Sequence, residues 1–166
     1  MTTTITGSTG VNQITDDAIT AAKLPAGSVL QVKSTRTNVN IDTTSTSYTT
    51  TGLYIDITPI STSSVILVTL SGGCIYNGVS AGVTMYTTIY RDSTNLGDSS
   101  AGLSRFSTPG GSWMLSPHSA SVMDSPSTTS SVRYAAYFRN SDTAGTVTFS
   151  DTDRGYVVIT AMEIAG

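Results

Sequence analysis

Few residues in this 166-residue chain could move a proton or hold a metal. It has one histidine (His118), one cysteine (Cys74) and one glutamate (Glu163). A hydrolytic triad needs a nucleophilic hydroxyl, a histidine and a carboxylate held in line. Serines are so numerous here that one lying near His118 would carry no information, so His118 reads as a loop histidine. Glycoside cleavage needs two carboxylates with separated pKa values. The best-placed acids, Glu163 and Asp56, both read as structural partners of Arg133 or Arg139. Asp151-Thr-Asp153-Arg-Gly155 begins like a calcium loop, but no acid stands at the twelfth position, and a turn between strands accounts for it. One cysteine and one histidine make no zinc ligand set, and Cys74 reads as a buried thiol. The expectation is a chain with no catalytic residue, no cofactor and no metal.

Binding is the remaining chemistry. Tyrosine supplies eight of the twelve aromatic residues. Tyr86, Tyr90 and Tyr137 fall on the rows opposite the expected core face, where an amphipathic ring suits a subunit interface. Arg133, Arg139 and Glu163 join them as the expected charged members of that interface. Trp113 and His118 lie in the irregular stretch 92–127, which is too long for a simple connection and is the candidate recognition loop.

The elements that would position these residues are strands. Serine and threonine together make up 55 of 166 residues, while only 11% are charged and the net charge is −3. Threonine favours strands, and serine, glycine and asparagine favour turns. Good formers of exposed helix are nearly missing. Eight basic residues are scattered along the chain, leaving no footprint for nucleic acid. The longest apolar stretch, Val65 to Leu70, is too short to span a bilayer, and no signal peptide is visible.

Strands are expected over 28–33, 53–58, 64–74, 82–91, 132–139, 146–150 and 155–165. Residues 155–165 have two largely apolar rows, Tyr156/Val158/Thr160/Met162/Ile164 and Val157/Ile159/Ala161/Glu163. A strand covered on both faces is central. The prediction is an all-β antiparallel sandwich, a jelly roll, over 28–166. Residues 1–27 form a separate arm. Thr15 can cap a brief helix with Asp16 and Asp17 in its first turn, and Ile14 and Ile19 can form a hydrophobic staple. Two turns of helix are unstable alone in water, so Ile5, Val11, Ile14, Ile19 and Leu24 are read as anchoring the arm to a neighbour.

Three stretches carry a resemblance. They are Gly10-Val-Asn-Gln-Ile-Thr-Asp-Asp-Ala-Ile-Thr-Ala-Ala-Lys-Leu with Gly27-Ser-Val-Leu-Gln-Val, then Tyr90-Arg-Asp-Ser-Thr-Asn-Leu-Gly, and finally Asp124-Ser-Pro-Ser-Thr-Thr-Ser with Ile159-Thr-Ala-Met-Glu-Ile-Ala. Together they resemble small structural proteins of tailed bacteriophages, of the cyanophage and marine-phage type. The resemblance covers most of the chain and carries over no catalytic residue. It implies a trimeric jelly roll similar in outline to the C1q and tumour-necrosis-factor fold. No shaft repeat precedes the domain. The expected protein is a non-enzymatic homotrimer in the virion that decorates or cements a capsid. Its partners would be copies of itself and the major capsid protein or another virion protein, with no nucleic acid and no membrane. The alternative is a fibre head whose 92–127 loop recognises a host-surface glycan.

Overall fold

The computed structural model describes residues 23–77, 83–107, 115–143 and 145–166, with backbone alone for 74–77. It is built from antiparallel strands. These are β1 (Val29–Thr37), β2 (Ile41–Thr43), β3 (Thr49–Ile57), β4 (Val65–Asn77), β5 (Thr84–Arg91), β6 (Thr94–Asn95), β7 (Ser104–Ser107), β8 (Leu115–Asp124), β9 (Val132–Asn140), β10 (Val147–Ser150) and β11 (Val157–Ile164).

They form two sheets. In sheet A, β11 lies between β1 and β4, β8 pairs with the other edge of β4, and β10 and β2 continue from the far end of β4. In sheet B, β9 lies between β3 and β5, and β6 and β7 pair with β5. The chain crosses between the sheets at β2–β3, β3–β4, β4–β5, β7–β8, β8–β9 and β9–β10, the interleaving of a jelly roll.

Alternation explains most of this. Leu53, Ile55 and Ile57 on β3, Met85 and Ile89 on β5, and Tyr134, Ala136 and Phe138 on β9 turn inward from sheet B. They meet Ile66, Val68 and Leu70 on β4, Phe149 on β10, and Val157, Ile159 and Ala161 on β11. Every one of these is at least nine-tenths buried, as a two-layer core requires.

Two departures from regular pairing shape sheet A. Gly72 and Gly73 have φ of +79° and +55°, and a Cβ on Gly72 would stand 2.7 Å from the Tyr156 carbonyl oxygen. Only glycine lets β4 bend there, from pairing with β11 to pairing with β10. On the opposite edge the β4–β8 register shifts between Gly72 and Ile75, and Pro117 of β8 falls in that irregularity. An edge strand tolerates proline at such a point because no ladder hydrogen bond is needed from it.

The expected irregular stretch 92–127 is corrected: it holds β6, β7 and the ten-residue β8. Periodicity did not reveal β8 because its inward row is His118, Ala120, Val122 and Asp124, which is not an apolar row.

Candidate functional site

Glu163 occupies the inward row of β11 and is wholly buried. Its cross-strand neighbour Gln31 on β1 donates through Nε2 to Oε2 (2.5 Å) and to the Thr58 carbonyl (2.8 Å). The Ile60 backbone N–H donates to Oε1 at 2.7 Å. Burial alone would raise the Glu163 pKa. Hydrogen bonds from Gln31 and the Ile60 N–H, helped by the Ser64 hydroxyl without regular bond geometry, outweigh it and hold the carboxyl below its ordinary range. The carboxylate therefore ties β11 and β1 to segment 58–64, which carries the chain from sheet B to sheet A. The expected pairing of Glu163 with Arg133 or Arg139 is corrected: those arginines stand on sheet B. So is its place at an interface, because its row faces the core.

Arg133 pairs instead with Asp56, its register partner on β3, through Nε (2.8 Å) and Nη2 (2.9 Å). Its guanidinium also lies 3.9 Å over the Tyr54 ring. A second ion pair went unread in the sequence. Arg91 Nη1 donates to both oxygens of Asp124, and the Tyr134 hydroxyl donates to Oδ2 at 2.6 Å. Burial, followed by the hydrogen bond to Asp124 and then the Asp124 charge, pushes the Tyr134 hydroxyl far above the usual phenol range. This cluster joins β8 of sheet A to β5 and β9 of sheet B. Arg91 and Asp124 stand at strand ends and look like surface positions until the two sheets are superposed, while Tyr134 reads only as a core residue of β9.

His118 is not on a loop. It is 2% exposed on β8, its ring 4.3 Å from that of Phe149, and Nε2–H donates to the Phe149 carbonyl at 2.7 Å. Among the described residues Nδ1 has no partner, and burial depresses the pKa to about 4 against the pull of the Phe149 bond. A ring so enclosed cannot collect a proton from a dissolved substrate. One serine pattern escaped the sequence reading: Gly78-Val-Ser80-Ala-Gly82 has the letters of a nucleophile elbow. It lies outside the described residues.

Asp151 spends both carboxylate oxygens inside its own turn, Oδ1 on the Asp153 N–H (3.0 Å) and Oδ2 on Arg154 Nε (2.9 Å). Ile5, Val11, Ile14, Ile19 and Trp113 lie outside the described residues, as do the expected arm helix and the Cys74 side chain. Leu24 is 37% exposed and lines a cavity of about 360 Å³ with Leu30, Ile60 and Ala165.

The outward faces of the two sheets differ in kind. Registered neighbours in a sheet share a face. Across sheet A this sets Val32, Met162, Leu67 and Met123 in one row, beside Val29, Ile164 and Val65. The next row is Ser34, Thr160, Thr69 and Ser121. The only charge in these rows or the one beyond is Arg36, stacked 4.1 Å over Tyr156. Val29, Val32 and Met123 are half exposed or more.

Sheet B brings together five of the six expected interface residues. Tyr90 and Tyr137 have ring centroids 4.1 Å apart, and Arg139 lies 4.0 Å over Tyr86. Part of this face is already covered from within the chain. Thr88 on its outward row is fully buried and donates to Asn95, and the Arg139 guanidinium donates to the Ser100 carbonyl.

These features define a jelly-roll sandwich with two contrasting outward faces. No protein-family model and no curated protein matches the sequence. Among solved structures the chain is similar to a mutant VP2 protein of infectious bursal disease virus in derived T=1 particles, at 12% identity and a TM-score of 0.43. It is also similar to the structure of the Gx strain of that virus, at 13% identity and a TM-score of 0.39. The matches cover 83% and 84% of this chain but only 37% and 39% of those chains. A likeness this distant carries no argument.

Proposed function

We propose that this chain is a non-enzymatic structural protein of a virus particle, and that it associates with copies of itself, as a homotrimer, through the outward face of sheet A. The observation that carries the self-association is the charge-free apolar row Val32–Met162–Leu67–Met123 with Val29, Ile164 and Val65 beside it. The apolar rows take somewhat more than half of a face that, at four strands by about seven residues, has roughly 440 Å² in plan. The whole face is about half of the ~800 Å² each partner contributes to a standard interface. Without charges to desolvate, the face can be buried against neighbouring copies at little electrostatic cost. Sheet B suits this role less, since its tyrosines already stack on one another and on Arg139.

The low charge of the whole chain and the resemblance of its arm and terminal strand to tailed-phage structural proteins support a place in a virion. Within that reading the domain from residue 28 forms the trimer, and residues 1–27 grip the capsid protein. The protein is then a decoration or cement protein that adds buried contacts without chemistry.

Two experiments test it. Leu67→Asp with Met162→Asp should convert the assembly to monomers in sedimentation velocity, with the strand signal in circular dichroism unchanged. Sedimentation identical to wild type would overturn self-association through this face. A chain lacking residues 1–24 should still fold and assemble but no longer bind purified shells of its own virus, and saturation of shells by the shortened chain would overturn the anchoring role.

A further inference from the structure

We propose that the outward face of sheet B carries a second site, for an anionic polysaccharide, built on the row Arg139–Tyr86–Arg105. The register places Tyr86 of β5 directly between Arg139 of β9 and Arg105 of β7. Two strand spacings set the bases of the two arginines about 10 Å apart, on one face.

Neither charge is spent. Among the described residues the ion pairs take up Arg91, Arg133 and Arg154, and none takes up Arg105 or Arg139. Arg139 is nonetheless held firmly, and by neutral groups. Its guanidinium stacks on Tyr86, faces Tyr48 at 5.4 Å, and donates to the carbonyls of Ser100, Asn140 (3.1 Å) and Thr46 (3.4 Å). Those contacts use part of its five-donor fork and cancel none of its charge. Asp98, in the same loop as Ser100, commits one oxygen to the N–H groups of Ser100 and Ala101 and to the Ser100 hydroxyl. A positioned cation with no counter-ion is costly in isolation and is the form an anion site takes.

The next row out carries hydroxyls. Thr84 Oγ1 and Ser107 Oγ lie 2.7 Å apart, on strands β5 and β7. Guanidiniums for acid groups, hydroxyls for sugar hydroxyls and a tyrosine ring between them are the parts needed to hold an acidic sugar. A chain with repeated acid groups can engage both arginines at once and gain from the second contact as an intramolecular one. A small anion reaches only one. The site stands on the opposite sheet from the proposed assembly face and does not depend on it.

The test is binding of the full chain to alginate (carboxylated), dextran sulfate (sulfated), plain dextran and polyglutamate, followed by thermophoresis at low and moderate salt. One or both acidic polysaccharides should bind, dextran should not, and polyglutamate should bind at least tenfold more weakly. Arg105→Gln, at an exposed position, should weaken polysaccharide binding at least tenfold. Arg36→Gln, which removes the same charge from sheet A, should leave it unchanged. Arg139→Gln should repeat the loss if its circular dichroism is native. The preference between alginate and dextran sulfate identifies the acid group. Equal binding by Arg105→Gln and wild type, equal loss with Arg36→Gln, binding of plain dextran, or polyglutamate binding as tight as the polysaccharides would each overturn the proposal.

Discussion

Glu163→Ala is expected to lower the unfolding free energy by about 3 kcal/mol while leaving the oligomeric state intact. The buried carboxylate is the acceptor for the Gln31 side-chain amide and the Ile60 backbone N–H. Hydrogen bonds to a charged group contribute roughly 1.5–3 kcal/mol each, and a buried donor left without an acceptor costs about 1–3 kcal/mol. Both bonds are part-buried, so water partly replaces the lost acceptor; with the desolvated charge also gone, a gross loss of several kcal/mol falls to about 3 kcal/mol. Glu163→Gln keeps one good acceptor and should fall between the two. Urea unfolding of the three proteins checks this. Destabilisation of Glu163→Ala by under 1 kcal/mol would mean that the carboxylate does not hold segment 58–64 to β11. Since the folded pKa of Glu163 lies below its ordinary value of 4.5, its contribution is complete above that value and is lost as pH falls through the folded pKa.

The second large effect is acid sensitivity carried by His118. Its folded pKa of about 4 lies below the ordinary 6.5, chiefly because burial disfavours the imidazolium. Above pH 6.5 the ring is neutral in both states and folding bears no proton penalty. Between pH 6.5 and 4 the unfolded chain takes up a proton that the folded chain refuses, so stability falls as pH falls. At about 1.4 kcal/mol per pKa unit the loss amounts to roughly 3 kcal/mol by pH 4 and then levels off. His118→Gln can still donate to the Phe149 carbonyl and does not titrate. The difference in stability between wild type and His118→Gln, followed by urea unfolding from pH 7.5 to 4, should shrink or reverse in the variant's favour by about that amount. Parallel profiles would show that His118 is not the group refusing the proton.

Much of the sandwich was legible because alternation is a property of the chain itself. Leu53, Ile55 and Ile57 against Tyr54 and Asp56, or Val132, Tyr134, Ala136 and Phe138 against Arg133 and Arg139, state which way each strand faces before any partner is known. The central position of the last strand was legible for the same reason, since neither of its rows is polar. Strand β8 was not legible, because its inward row of His118, Ala120, Val122 and Asp124 becomes a core row only when Phe149, Arg91 and Tyr134 approach from other strands.

The sites divide along the same line. From the sequence alone one can tell that histidine, cysteine and glutamate each occur once, that the chain folds as strands, and that Tyr86, Tyr90 and Tyr137 face away from the core. Which group meets which was decided by register and by the meeting of two sheets. Asp56 took Arg133 because they are cross-strand partners. Glu163 took Gln31 and a backbone amide because its row turns inward on sheet A, away from the outward row of sheet B that carries Arg133 and Arg139. Alternation is local and survives any pairing of strands, whereas an ion pair or a shared outward row exists only once residues tens of positions apart are placed on neighbouring strands.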